Sequence, residues 1–223
     1  MLDVELLSLR ENLTELYDEV TAQLVKCRKA VLDGDVALAK EIVGAEKRVN
    51  ALELMIDKEC ENILALNQPV ASDLRFVIAA LKMSNDMERI GDNIKQIAKL
   101  LIQDAGMFRT YVMEGFKLTD MFDVSIDMVK EMGRAIKKAD TKLVRKILSK
   151  DDALDKIDKQ ALDVASELIL ENQKHSKDIL SMLLVIKKLE RVGDLIKNIG
   201  EELIFHIEAK VVKHKKSKKD KNK

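Results

Sequence analysis

From Leu6 to Val31 the apolar residues Leu6, Leu9, Leu13, Leu16, Val20, Leu24, Cys27 and Val31 recur every three or four positions without interruption. That spacing matches the turn of an α-helix, so one face of a long helix must be buried. The same pattern resumes after each short break and runs through nearly the whole chain. Only one Pro and eight Gly occur in 223 residues, and aromatics make up 3%. A β-sandwich or barrel needs more turn residues and more strand formers. The 47% apolar content excludes disorder over the full length. The pattern predicts an all-α protein.

The breaks divide the helices. Asp33-Gly34-Asp35 stops the first, with Gly34 as terminator and Asp35 as N-cap of the next. The second helix runs to about Leu66, where Asn67-Gln68-Pro69 ends it and Pro opens a third, from Val70 to Ile102. Gln103 to Thr110, with Gly106, forms a central linker. Three more helices follow, broken near Ala139-Asp140 and between Asn172 and Ser176.

The second half repeats the first. ERIGDNIKQI (Glu88 to Ile97) and ERVGDLIKNI (Glu190 to Ile199) are identical at seven of ten positions, at an offset of 102. Ala30–Leu38 matches Ala135–Leu143, and Asn67-Gln68 matches Asn172-Gln173, at an offset of 105. A three-residue deletion between Gln173 and Glu190 reconciles the two offsets. Two copies of a three-helix unit are the economical explanation. They span residues 1–104 and 109–212, each long enough for a core of its own. Met83, Met87, Ile90, Ile94, Ile97 and Leu101 are spaced like Val185, Leu189, Val192, Ile196, Ile199 and Leu203, as in bundle seams. The expected architecture is two tandem pseudo-symmetric three-helix bundles, elongated, with six long antiparallel helices.

Composition narrows the function. Lys+Arg and Asp+Glu both number 39, but the last eleven residues hold seven Lys and one Asp. That tail, 213–223, reads as disordered and solvated, with contact to a membrane surface as the alternative. With no Trp, two Tyr and five Phe the body has no base-stacking platform, so nucleic acid is not an expected partner. Cys27 and Cys60 form no CxxC pattern and read as reduced, packed thiols. No signal peptide or bilayer-length apolar run is present in the sequence, so the cytoplasm is the expected compartment. GxGxxG, P-loop, HExxH and GxSxG signatures are missing, and three His offer little acid–base chemistry. An enzyme is not expected.

Acids four residues apart stand out: Glu53 and Asp57, Glu88 and Asp92, Asp151 and Asp155, Glu190 and Asp194. On a helix each pair shares a face and repels by a few tenths of a kcal/mol. A hard cation reverses that sign, because carboxylate oxygens so placed can share it. In a chain that is 35% charged, solvated surface is the competing reading. Gly91 and Gly193, mid-helix, each cost about 1 kcal/mol and suit a close approach by a neighbour or a metal cluster. The stripe Glu46, Asn50, Glu53, Asp57 flanks the apolar face of the second helix and can converge with an acidic pair on a neighbour. If these acids are mutually repelling, Asp92→Asn stabilises the metal-free protein.

Taken together, NALELMID (Asn50 to Asp57), QPVASDLR (Gln68 to Arg75) and the twin ERxGD segments resemble the PhoU family of phosphate-signalling regulators, over essentially residues 1–210. The resemblance implies two three-helix bundles in tandem. It also implies a cytoplasmic adaptor, held at the inner face of the membrane through its partners, that couples the ATPase subunit of a phosphate ABC transporter to a sensor histidine kinase. Such an adaptor represses the phosphate-starvation response when phosphate is ample, and a homodimer or higher oligomer is expected. Family members bind multinuclear iron, or zinc, manganese or magnesium, through E(D)xxxD motifs. Carried over, Glu53, Asp57, Glu88 and Asp92 are ligands of one cluster, and Glu190 and Asp194 supply half of another. Asp151 and Asp155 complete the second, or Asp158 replaces them; Leu162 stands where Asp57 would be. Asp73 and Arg75 read as an ion pair or a partner-facing patch. The contrasting reading is a membrane-peripheral or structural helical bundle without metal.

Overall fold

A computed structural model describes residues 2–211. The helices are α1 (Leu2–Asp33), α2 (Val36–Asn67), α3 (Ala71–Gln103), α4 (Thr110–Gly115), α5 (Leu118–Lys138), α6 (Thr141–Leu148), α7 (Asp151–Glu171) and α8 (Ser176–Glu208), with single 3-10 turns at Ala105–Met107 and Gln173–His175. No strand occurs among the described residues. The Lys-rich tail expected at 213–223 lies outside them.

Local signals account for most boundaries. Asp35 caps α2 by accepting from the Leu38 amide at 2.9 Å, and Asp140 caps α6 by accepting from Lys142 and Leu143, each at 3.0 Å. These two caps are the same position in the two repeats. Gly34 (φ 66°) ends α1 in the left-handed region, and its repeat counterpart Ala139 (φ 50°) does so against its side chain.

The first unit has its three expected helices. The second divides more finely, because the expected fourth helix breaks at Phe116-Lys117 and the fifth at Ser149-Lys150. At the second break the Lys150 amide donates to the Ile147 carbonyl at 2.9 Å, and Ser149 Oγ donates to the Lys146 carbonyl at 2.7 Å. Lys150 meanwhile reaches α5, pairing with Asp127 and, at 2.8 Å, with Glu131. Tertiary ion pairs thus hold a kink that no Gly or Pro announces.

Both seams are buried along their length, from Met83 to Leu101 on α3 and from Val185 to Leu203 on α8. At 33 residues each, these helices are about 50 Å long. The two units do not keep separate cores. α3 lies along α8, α1 packs on α5, and the buried apolar residues form one contiguous cluster. Polar contacts cross the same boundary: the Tyr17 hydroxyl donates to the Val129 carbonyl, and Arg75 Nε donates to the His206 carbonyl at 3.2 Å. Lys82 pairs with the buried Glu202 at 3.2 Å. Cys27 and Cys60 are free and buried, and burial pushes each thiol up to about 12.

Candidate metal centre

The helical register places the acids of α2 and α3 along one flank of the first bundle. Glu53, Asp57, Glu88 and Asp92 are all half-buried. Partial burial raises the pKa of Glu53, and the charges of Asp57 and, across the α2–α3 interface, Glu88 raise it further. Glu88 is likewise raised by burial, then by Asp92. Asp57 is raised by burial and by Glu61, and its Oδ1 is sealed from solvent with no hydrogen-bond partner. Asp57 also borders an open groove of about 500 Å³, with Asn85, Asp86, Arg89, Asn198 and Glu202 among its walls.

Asp92 behaves differently. Its Oδ1 lies 2.8 Å from Lys95 Nζ, and Gln96 donates to its Oδ2 at 2.6 Å. Burial pushes its pKa up, but these hydrogen bonds outweigh burial and hold it below the ordinary range. The same ammonium meets Glu46 Oε1 at 2.6 Å, which lowers the Glu46 pKa as well. The expectation that Asp92→Asn stabilises the metal-free protein is therefore reversed. Asp92 is held by a cation, and the mutual repulsion sits on Glu53, Asp57 and Glu88.

The second bundle carries the matching lysine. Lys197, the repeat counterpart of Lys95, lies 2.6 Å from Asp151 Oδ2 and 3.5 Å from Asp194 Oδ1. Asp151 is buried, and burial raises its pKa against the pull of Lys197. Glu190 is raised by burial, then by Asp194 and Asp158. Asp155 pairs with Lys159 at 3.4 Å, and Asp158 with Lys187 at 2.6 Å. Gly193 makes this packing possible: a Cβ there would sit 2.5 Å from Leu154 Cδ1 and 2.7 Å from Asp151 Oδ1. At Gly91 the nearest atom would be Val49 Cγ1 at 3.3 Å, a far milder contact. Close helix approach, one of the two roles expected of these glycines, is what Gly193 serves.

Among the described residues no three His, Cys, Asp or Glu side chains are grouped closely enough to hold a metal ion as they stand. The donor chemistry of both flanks nonetheless fits a hard cation: oxygen ligands, with Asp57 Oδ1 on the first and Asp151 Oδ1 and Asp158 Oδ1 on the second sealed from solvent without a hydrogen-bond partner. Helical spacing already sets Lys95 and Gln96 beside Asp92; what spacing did not assign is the bridge from Lys95 across to Glu46 on α2, or that from Lys197 to Asp151 on α7. Asp73 and Arg75 form no ion pair, since Arg75 turns to the α8 backbone instead. Arg10 stacks over Phe76 at 4.5 Å, and Phe76 in turn packs against His206.

The raised carboxyls fix a pH dependence. Between the ordinary and the raised pKa the native state binds more protons than the unfolded chain, so their contribution to stability falls as pH rises. In chelator, Glu88→Gln melts higher than wild type at neutral pH, and the difference shrinks as acidification protonates Glu88. A difference that does not change with pH would show that the Glu88 carboxyl is not destabilised by its surroundings.

The fold and the paired flanks define a twice-repeated antiparallel helical bundle with acidic clusters on its surface. The PhoU domain family matches residues 13–101 and again 118–203, and the chain belongs to that family. It is 31% identical over 215 residues to a Pseudomonas putida phosphate-specific transport system accessory protein PhoU homolog, covering 95% of this chain and 82% of the relative. The Escherichia coli (strain K12) accessory protein PhoU is 26% identical over 215 residues, covering 95% and 87%. The crystal structure of PhoU from Pseudomonas aeruginosa superposes with a TM-score of 0.88 at 30% identity, over 94% of this chain and 100% of that one. The phosphate transport system regulatory protein PhoU from Streptococcus pneumoniae gives 0.83 at 27%, over 95% and 99%.

Proposed function

We propose that this protein is a non-enzymatic regulator of phosphate uptake, acting on the cytoplasmic side of the membrane. It would couple the ATPase subunit of a phosphate ABC transporter to a sensor histidine kinase and repress the phosphate-starvation response when phosphate is ample. The observation that carries this reading is family membership in both halves of the chain, among relatives named as accessory proteins of the phosphate-specific transport system. No helix among the described residues is long and apolar enough to cross a membrane; in this reading partners would hold the protein at the membrane. A regulator of this kind works by binding one state of its partner more tightly than another. The same reading includes self-association and a divalent or iron ion held by the E(D)xxxD acids. Such an ion supplies charge neutralisation, and the acids Glu53, Asp57 and Glu88 would hold it.

Deleting the gene tests the regulatory reading. Phosphate-responsive genes should then be expressed even in high phosphate, and the wild-type gene in trans should restore repression. Normal repression in the deletion strain would overturn it.

A further inference from the structure

Four helix ends meet at one tip of the molecule. Asn67, at the end of α2, donates to Glu5 near the start of α1. Arg10 of α1 stacks over Phe76 of α3 at 4.5 Å, and Phe76 packs against His206 near the end of α8. At this tip Val4 is 70% exposed, Leu66 76%, Val70 71% and Val211 65%. They are four of the seven large apolar side chains more than 60% exposed among the described residues. Single apolar residues scattered over a surface are ordinary, whereas a group gathered at one end marks a contact. The opposite end of the first bundle, at Asp33-Gly34-Asp35 and Asp104, exposes no large apolar side chain.

The tip itself is close to neutral. Arg10, Arg75 and Lys210 balance Asp3, Glu5 and Asp73, and Glu208 pairs with Arg145 at 2.8 Å. Positive charge comes from the chain that follows Val211, where residues 213–223 hold seven Lys and one Asp. Fully extended, the chain from Val211 to Lys223 spans at most about 40 Å, so these charges are tethered to the tip. Apolar side chains beside a dense run of lysines match a bilayer with anionic headgroups. The side chains enter the acyl boundary, and the ammoniums pair with the headgroup charge. Nucleic acid would use the lysines but gain little from exposed Val and Leu. The exposed Leu180 and Leu184 lie in the first third of α8, about 40 Å from this tip, and serve as a control.

We propose that the tip formed by Val4, Leu66, Val70 and Val211, together with the lysines of 213–223, docks directly on an anionic lipid surface. This goes beyond the proposed function, in which partners hold the protein at the membrane, and it does not depend on metal. Docking by the end leaves both acidic flanks of the molecule uncovered.

The test is co-sedimentation of the purified full chain with vesicles of phosphatidylcholine and phosphatidylglycerol, against vesicles of phosphatidylcholine alone. Wild type should sediment with the anionic vesicles and not with the neutral ones. Leu66→Gln with Val70→Ser should weaken that binding about tenfold or more, as should Lys213→Gln, Lys215→Gln, Lys216→Gln and Lys218→Gln together. Leu180→Gln with Leu184→Gln should leave it unchanged. All four apolar side chains replaced are at least half exposed, so these variants keep the fold, as circular dichroism will show. The chain has no Trp, so Leu66→Trp is a direct reporter, and its emission should move to shorter wavelength on anionic vesicles. If wild type does not sediment with them, the proposal falls while the regulatory reading, which works through partners, stands. Binding lost in the lysine variant but kept in the tip variant, with no shift of the Trp emission, would reduce the contact to bulk charge and overturn the tip. If a single-stranded oligonucleotide competes away such tip-independent binding, the lysines belong to nucleic acid instead. Loss of binding in the Leu180 and Leu184 variant would move the contact to the flank and overturn the proposal as well.

Discussion

Phe122→Ala should lower the stability of the entire molecule by about 3–5 kcal/mol, in one denaturation step. Phe122 is fully buried in α5 and is among the largest side chains of the core. Truncating it removes apolar contact and leaves a cavity that long, mutually braced helices cannot close. The loss should not stay in the second repeat, because α5 packs on α1 and α8 packs along α3. Urea titrations followed by circular dichroism should show a single transition with a lower midpoint and an unchanged slope. Hydrogen exchange in α3 should speed up as much as in α8. Two transitions, with only one displaced, would mean that the bundles unfold independently.

Lys95→Met should cost about 2 kcal/mol in the absence of metal. Exposed ion pairs contribute under about 1 kcal/mol, whereas breaking a buried pair costs about 3–5 kcal/mol because a charge is stranded. Lys95 lies between these limits, at 15% exposure against a Glu46 that is 20% exposed. Its loss strands Glu46 and Asp92 together, and burial opposes both charges. Adding Glu46→Gln to Lys95→Met should recover part of the deficit, and the double-mutant cycle gives the coupling directly. Lys197→Met should cost at least as much, since Asp151 is only 5% exposed. Additive single-variant effects would show that the lysine does not bridge the helices.

Most of the fold could be read from the chain because its determinants are local or repeated. The Asp35 cap, the Gly34 terminator and the matching seams of α3 and α8 each lie within a few residues of what they specify. The kink at Ser149-Lys150 could not be read that way: Lys150 is an ordinary helix former, and its break is held by Asp127 and Glu131 on another helix. The acidic flank was visible as spacing, and its convergence across α2 and α3 was foreseen as an option. Its internal division was not. Spacing along one helix shows Asp92 repelling Glu88 with Lys95 and Gln96 beside it, but not that Lys95 is shared with Glu46, 49 residues away in sequence on another helix. The merged core was missed for a similar reason. A periodic seam shows that a helix buries a face, and says nothing about which helix lies opposite.

That merged core carries a consequence for separability. Either unit alone would leave bare the apolar face that the other covers, along α3 and α8 and between α1 and α5. Tyr17 deepens the dependence, its ring lying against Gly133, where a Cβ would approach it to 2.9 Å. A chain cut at the central linker should therefore give two fragments that each expose an apolar flank and stick to one another or to whatever else is apolar.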